Sequence, residues 1–340
     1  LAGERLVELA RRISAWCKPV EFTCEANPES LTAELATALA GVGVTRISLG
    51  VQTLDNAELA AIGRIHDSHR ALAAIAAVRD AGLDVSCDLM CGLPGQTAVS
   101  WQRTLDGVLA AAPHHVSVYP LTLEEGTPLY RMACHDESLE PDEDFQAACM
   151  DAARECLGAA GYHPYEVASY ALDGHECAHN IAYWTGRGYL GLGRSAAGML
   201  DAEDFDRLAG LFPDVPARGD AYRVRLVQRD DDATAFDAEY LSQREAAAED
   251  LMLACRMTRG IGPDLLVRSA SVIAADELAA ACDRALELGL ATWVPDHVEG
   301  HAGSVTLKDV IAGRVRARLA PTHLGWLDGN VLFELFWGLA

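Results

Sequence analysis

The chain has 340 residues, half of them hydrophobic, which is enough to bury a large core and to form two domains. Its 27 basic and 50 acidic residues give a formal net charge of −23, which repels phosphate backbones and argues against a nucleic-acid partner. No apolar run approaches the roughly 18 residues that cross a bilayer, and no signal-like segment opens the chain. Composition therefore predicts a soluble, cytoplasmic protein without an integral membrane segment.

Four apolar, strand-like stretches in the first third of the chain each end in a polar residue. These residues are Glu25, Gln52, Asp88 and Tyr119, and they are separated by 27, 36 and 31 residues. A (β/α) barrel uses about 30 residues per strand-helix unit and places its chemistry at the carboxyl ends of its strands. The spacing predicts a barrel-like α/β fold with a ligand site at that edge.

Helix signals fill the intervals between these strands. Thr32, Ser68 and Thr97 are each placed to begin a helix with apolar residues at helical spacing, and glycine or proline follows each helix. Repeated alternation of strand and helix indicates a parallel sheet.

The segment Asp88–Thr97 is the most distinctive local motif. Gly92 and Gly95 permit backbone angles that other residues avoid, and Pro94 stiffens the turn. Asp88 is placed to accept hydrogen bonds from a ribose or an amine. The alternative is a tight turn with a helix-capping acid.

The ten cysteines include no CxxC pair, so the sequence supports neither a tetrahedral zinc site nor a self-contained iron–sulfur site. Most are expected to be small core residues.

The remainder of the chain carries weaker signals. A helix is predicted within 136–161, and the polar, Asp-rich segment 201–241 is interpreted as a linker with a strand near 222–227.

Residues 242–340 are predicted to form a separate, winged-helix-like unit. Ser242 and Glu245 form a capping box, strand-like pieces lie at 290–294 and 304–308, and a helix is expected near 328–338. Nine basic and thirteen acidic residues in this unit argue against DNA binding, and we expect it to pack on the barrel or to cover its ligand.

Four runs carry a family resemblance that covers residues 21–130: EANPESLT, GVTRISLGVQTLDNAELAAIGRIH, DLMCGLPGQT and HVSVYPLTLEEGTPLY. They resemble the radical S-adenosylmethionine (SAM) family of oxygen-independent coproporphyrinogen III oxidases and their relatives. The resemblance implies a partial radical SAM (β/α) barrel at 1–135, a family-specific region at 136–200, the linker at 201–241 and a C-terminal winged-helix-like domain at 242–340.

The resemblance also implies a SAM site. Arg64 would pair with the SAM carboxylate, Asp88 would reach its ribose, and the other residues would add polar or lining contacts. Without the resemblance, Arg64 is equally a surface cation at a helix end. The implied SAM-binding residues are Glu25, Gln52, Arg64, Asp88, Thr122 and Ala197.

A second block contains the sequence HNIAYW at residues 179–184, which resembles the HNxxYW motif of the heme-chaperone (HemW) branch. His179, Asn180, Tyr183 and Trp184 are the implied heme-binding residues, because imidazole can ligate heme iron and aromatic rings can pack on a porphyrin. The alternative is a buried tyrosine and tryptophan that close a turn, with His179 as a hydrogen-bond donor.

One departure from the family is clear. Its members bind a 4Fe–4S cluster through CxxxCxxC, and no such triplet occurs in this chain, since Pro94 stands where Cys87 and Cys91 would need a third cysteine. The sequence therefore predicts no metal ligands for the cluster here. We expect two N-terminal units and the cluster to belong to a longer protein; the alternative is a decayed family member.

The expected function is a heme chaperone that binds SAM and heme and delivers heme to acceptor hemoproteins. The alternatives are an oxygen-independent coproporphyrinogen III oxidase, which would be an enzyme of porphyrin biosynthesis, and a noncatalytic binding scaffold.

Overall fold

The computed structural model describes residues 2–229, 235–296 and 305–340. The chain divides into two compact units, Leu1–Ala178 and His179–Ala340. None of the helices in the described ranges is long and apolar enough to cross a membrane.

The first unit is built on a six-stranded sheet with the order β1-β2-β3-β4-β6-β5. Neighbouring strands from β1 to β4 pair in parallel, as the strand-helix alternation predicts, whereas β6 pairs antiparallel with both β4 and β5. The strands are β1 (Thr23–Ala26), β2 (Arg46–Gln52), β3 (Asp84–Cys91), β4 (His115–Pro120), β5 (His163–Pro164) and β6 (Ser169–Ala171).

All helices of this unit except the first begin at side-chain caps. Thr32 accepts a hydrogen bond from the Leu35 N–H at 3.2 Å, whereas the predicted helix at Ser68 is capped one residue earlier by Asp67. The helices are α1 (Gly3–Trp16), α2 (Ala33–Ala40), α3 (Asn56–Ala61), α4 (Ser68–Asp80), α5 (Ala98–Ala111), α6 (Pro128–Ala133) and α7 (Glu143–Ala159).

The alternation of side chains along β2 positions the site. Leu49 and Val51 are fully buried on one face of the strand. Ser48, Gly50 and Gln52 occupy the opposite face and line a cavity. A strand that is apolar on one side and polar on the other therefore delivers polar groups to the carboxyl edge of the sheet.

One strand end differs from the prediction. β3 does not end at Asp88 but continues to Cys91, and it pairs with β4 along this extension. Leu89 and Cys91 in this extension are apolar and buried. The polar Asp88 therefore lies within the strand and does not mark its end.

The second unit contains a three-stranded antiparallel sheet, β7-β8-β9, and a two-stranded hairpin of β10 and β11. Its strands are β7 (Ala197–Asp201), β8 (Arg223–Gln228), β9 (Phe236–Leu241), β10 (Ala291–Pro295) and β11 (Ala317–Pro321). Its helices are α8 (Ala178–Trp184), α9 (Ala202–Leu208), α10 (Gln243–Ala254), α11 (Pro263–Ser269), α12 (Ala275–Glu287), α13 (Leu307–Ile311), α14 (His323–Leu327) and α15 (Gly329–Trp337).

The described residues of segment 201–241, which composition assigns to a linker, form regular structure. They include α9, β8 and β9, and the sheet packs on a small apolar cluster that contains Phe205 and Phe212. One of its arginines forms a buried ion pair: the Arg223 guanidinium donates to both Asp250 carboxylate oxygens at 2.7 and 2.9 Å, and this pair joins β8 to α10. Polar composition therefore does not mark this segment as unstructured.

The C-terminal elements match the predicted helices followed by a hairpin, except in one strand. The second strand is β11, whereas the predicted piece at 304–308 leads into α13; residue 304 lies outside the described residues. Thr306 and Asp309 form a capping box, which favours a helix over the strand suggested by the apolar side chains.

We expect Thr97→Ala to lower the free energy of unfolding by about 1 kcal/mol, because Thr97 and Ser100 form a capping box at the start of α5. Urea unfolding followed by circular dichroism would measure the change. Thr37→Ala is the matched control, because that exposed hydroxyl donates only to the Ala33 carbonyl of its own helix. Equal effects of the two substitutions would contradict the prediction.

Candidate functional site

A cavity of about 540 Å³ lies at the carboxyl ends of β1, β2 and β3 in the first unit. It is large enough for a small organic ligand. Four of the six predicted SAM-binding residues line this cavity: Glu25, Gln52, Arg64 and Asp88.

Gln52 closes β2 in an unusual conformation. Its φ is 66°, in the left-handed region that a non-glycine residue seldom adopts, and its side chain is buried. Its Oε1 accepts no hydrogen bond from any described residue. A buried acceptor without a partner is costly, so this oxygen is suited to receive a donor from a ligand.

Gly50 leaves the space that Gln52 and its neighbours occupy. A Cβ atom at this position would lie 2.9 Å from Gln52 Nε2 and 3.5 Å from Asn27 Oδ1. Arg64 reaches the same place, because its Nη1 donates to Asn27 Oδ1 at 2.8 Å. Three polar side chains therefore converge on a glycine at the cavity wall.

The segment that carries Arg64 is anchored by its neighbour His66. The His66 side chain is fully buried, with Nδ1 3.1 Å from Glu29 Oε2 and Nε2 3.4 Å from the Val51 carbonyl oxygen. Ile65 between them is exposed. The His66 contacts hold the segment against β2, and the bond to Asn27 places the Arg64 guanidinium at the cavity.

Asp88 is held at the floor of the cavity by a hydroxyl from the next strand. The Ser48 hydroxyl donates to Asp88 Oδ2 at 3.0 Å. Burial raises the pKa of Asp88, and the nearby Glu25 carboxylate adds to this, while hydrogen bonds from Ser48 and Ser117 and the charge of Arg46 oppose it. The carboxyl group is thus a poised acceptor that a ligand donor would stabilise.

Two other predicted residues are not brought to this cavity. Thr122 follows β4, is exposed and does not line the cavity. Ala197 opens β7 in the second unit, where it is exposed. Their assignment to SAM stays a prediction.

Asn27 and Ser48 are two polar lining residues that sequence reasoning missed. Both stand inside runs that carry the family resemblance, but their roles depend on contacts with Arg64 and Asp88. Strand alternation could have indicated Ser48, because it lies on the same face of β2 as Gln52.

The predicted heme motif lies on α8. His179 and Tyr183 are four residues apart, which places them on one face of the helix, and both are exposed. Asn180 is half-buried. The Trp184 ring packs edge-on against Tyr183 with 5.1 Å between centroids and lines a separate cavity of about 340 Å³ within the second unit. The exposed Tyr183 does not fit the alternative of a buried pair that closes a turn.

The cysteines of the chain do not form a cluster site. All ten are free thiols, and burial raises the pKa of several, for example to about 12 for Cys91. An iron–sulfur cluster requires several converging thiolates. The residues present therefore do not fit the cluster, and no step of a reaction is assigned to it here.

One group among the described residues offers three metal-ligand atoms close together: Asp84, His114 and His175. Asp84 Oδ2 lies 3.1 Å from His175 Nδ1, and the two imidazole rings stack at 4.6 Å. However, the His114 Nδ1 lone pair accepts the Val85 N–H at 3.1 Å. The geometry is that of a stacked histidine pair beside a carboxylate.

The parallel sheet with a polar cavity at its carboxyl edge defines the first unit as an α/β fold. The model of the radical SAM superfamily matches residues 2–108. The solved structure of coproporphyrinogen III oxidase (HemN) from Escherichia coli, a radical SAM enzyme, shares the fold: its TM-score is 0.70 at 17% identity, and the match covers 99% of this chain and 74% of that one.

Curated relatives narrow the assignment. The heme chaperone HemW of Bacillus subtilis is 30% identical over 269 residues, which cover 77% of this chain and 68% of the relative. The HemW of Mycobacterium tuberculosis is 36% identical over 204 residues, or 59% of this chain and 52% of the relative. The mitochondrial radical S-adenosyl methionine domain-containing protein 1 of Bos taurus is 40% identical over 181 residues, or 53% of this chain and 41% of the relative.

The chain belongs to the heme chaperone HemW family of the radical SAM superfamily. It spans about half the length of relatives such as those from cattle and Mycobacterium tuberculosis.

We expect Gly50→Ala to weaken binding of SAM about tenfold, which corresponds to roughly 1.4 kcal/mol. The added methyl group would displace the Gln52 amide and disturb the Arg64–Asn27 contact. Calorimetric titration with SAM would measure the change. Gly158→Ala, at a helix position with open space around it, is the matched control and should bind as the parent protein does. Unchanged affinity in the Gly50 variant would show that the ligand does not use this wall.

The raised pKa of Asp88 predicts a pH-dependent effect of Asp88→Asn. The folded protein holds the Asp88 proton to a higher pH than the unfolded chain does, so raising the pH from 4 through the folded-state pKa costs the parent protein stability. The variant lacks this cost, and its stability relative to the parent should increase over that range. Urea unfolding at several pH values would measure the difference. A difference that is constant with pH would contradict this assignment.

Proposed function

We propose that this protein is a heme chaperone that binds heme and passes it to acceptor hemoproteins. The observation that carries the proposal is the similarity to the Bacillus subtilis heme chaperone. A continuous match over 77% of a 340-residue chain must include α8, wherever it begins. The region of similarity therefore spans the helix that carries the HNxxYW motif of this chain.

The geometry of α8 supports heme binding at its exposed face. A porphyrin is a flat, largely apolar disc, and its iron takes a neutral imidazole as an axial ligand. His179 supplies an accessible imidazole, and Tyr183, one turn further, supplies an aromatic surface that is 37% exposed. The centroid of the Tyr189 ring lies 5.2 Å from that of Tyr183, and this second ring extends the aromatic surface.

The cavity of the first unit is the proposed SAM site. Arg64 would pair with the carboxylate of SAM, and Asp88 would accept from its ribose hydroxyls. Gln52 Oε1 and Glu25 would accept from its ammonium group. In radical SAM proteins this cofactor is a source of radicals; here, only its binding is assigned to residues of the chain.

Coproporphyrinogen III oxidase activity is the second candidate. Its support is the shared fold with the Escherichia coli enzyme at 17% identity, which carries no assignment of activity. A noncatalytic binding scaffold is the third. Decarboxylation of coproporphyrinogen III by the protein would favour the oxidase, whereas transfer of bound heme to an apo-hemoprotein would favour the chaperone. The cytoplasmic location stays a prediction.

We expect His179→Ala to weaken heme binding at least tenfold and to abolish the Soret band shift of the imidazole-ligated iron. Titration with hemin, followed by absorbance, would measure both effects. His69→Ala is the matched control, because His69 is an exposed histidine in the first unit. Specific heme binding that survives the His179 substitution would remove this residue as the ligand, and absence of specific binding by the parent protein would overturn the chaperone proposal.

A further inference from the structure

The cavity beside Trp184 is not explained by heme ligation at His179. It has a volume of about 340 Å³, within the range of small-molecule sites, and is enclosed by residues of the second unit. Trp184, Met257 and Leu265 contribute apolar surface to its wall. A ligand here would meet both an aromatic ring and charged side chains.

Helix geometry separates this cavity from the exposed face of α8. Residues in an α-helix are about 100° apart, so His179 and Tyr183 differ by about 40°, whereas His179 and Trp184 differ by about 140°. The position of Trp184 in the cavity wall agrees with this direction. The two ends of the motif therefore serve different surfaces.

The Trp184 ring is fixed in place by a cation. The Arg256 guanidinium lies 5.1 Å from the centroid of the Trp184 ring and 4.4 Å from that of Phe333. A guanidinium between two aromatic rings restrains both. Trp184 thus presents a preorganised wall to the cavity.

Carboxylates and guanidinium groups balance in the lining of the cavity. Three carboxylates line it, and each has arginine partners: Asp250 pairs with Arg223 and Arg268, Asp264 with Arg316, and Asp296 with Arg316 and Arg318. Arg259, Arg268 and Arg318 line the cavity themselves, so three guanidinium groups face three carboxylates there. Glu249, 3.9 Å from Arg223, has a closer partner in Arg225.

Arg259 is the cation available to a ligand. Its side chain is exposed at the cavity, and it forms no hydrogen bond or ion pair with any residue that the structure describes. A guanidinium in this setting pairs well with a carboxylate, because its parallel N–H groups match the two oxygens.

We propose that this cavity binds the carboxylate of a planar, apolar organic acid, with Arg259 pairing with the carboxylate and Trp184 packing against the plane. Two sources share this chemistry. One is the propionate-bearing edge of a tetrapyrrole, which rests on the proposed heme function; the other is a separate small aromatic acid.

The test uses 2-naphthoate as a probe and its neutral analogue 2-naphthalenemethanol, titrated calorimetrically into the protein. The parent protein should bind the acid at least tenfold more tightly than the alcohol, and Arg259→Gln should remove this preference. Arg284→Gln, which changes an exposed arginine of α12 outside the cavity, should retain it. Trp184→Leu should weaken both probes. Equal binding of acid and alcohol by the parent protein, or a preference that survives R259Q, would overturn the proposal.

Competition with hemin identifies the source. Displacement of 2-naphthoate by hemin but not by hemin dimethyl ester would identify the tetrapyrrole edge. Hemin binding that depends on His179 and leaves 2-naphthoate in place would identify a separate acid. A preference for 2-naphthoate that survives R259Q would overturn the inference about the cavity and leave the heme proposal intact. Absence of specific hemin binding would overturn the heme proposal and leave the inference about the cavity intact.

Discussion

The carboxyl group of Glu58 is the contact on which the edge of the first unit depends. It is buried, and its Oε2 accepts the Thr53 hydroxyl at 2.6 Å and the Gln96 side-chain amide at 3.2 Å. The side-chain oxygen of Gln96, Oε1, in turn accepts a hydrogen bond from the Gly92 N–H at 2.7 Å. One side chain thereby ties the loop after β2 to the turn after β3.

This connection helps to fix the polar groups that β2 and β3 carry near their carboxyl ends. Gln52 immediately precedes Thr53, and Asp88 lies on the strand that leads into the turn at Gly92. Buried polar contacts of this kind are costly to break, because each leaves a desolvated group without a partner. The link between the loops that follow β2 and β3 therefore supports the binding groups that stand on those strands.

Local chemistry made much of the fold predictable. The caps at Thr32 and Thr97 and the capping box at Ser242 depend on residues a few positions apart, and the helices begin where these signals stand. Strands β5 and β6 have two and three residues, which is too short for periodicity to appear. The charges of segment 201–241 suggested a solvated linker because their partners, such as Asp250, lie far along the chain.

The candidate site was predictable in part, because some of its residues are marked by local sequence signals. Motif runs indicated Gln52 and Asp88, because each stands at or near the end of a strand. The contacts from Asn27 and Ser48 join residues about 40 positions apart and need the tertiary structure. The different directions of His179 and Trp184 follow from helical geometry, but only after the helix itself is established.

The outer strand next to β6 has a further consequence. β5 contains only His163 and Pro164, and proline has no N–H group to donate. An exposed strand edge is a template for pairing with another chain, and its capacity depends on the number of unpaired backbone groups. This margin of the sheet therefore gives an incoming strand very little to pair with, which guards it against edge-to-edge aggregation at high protein concentration.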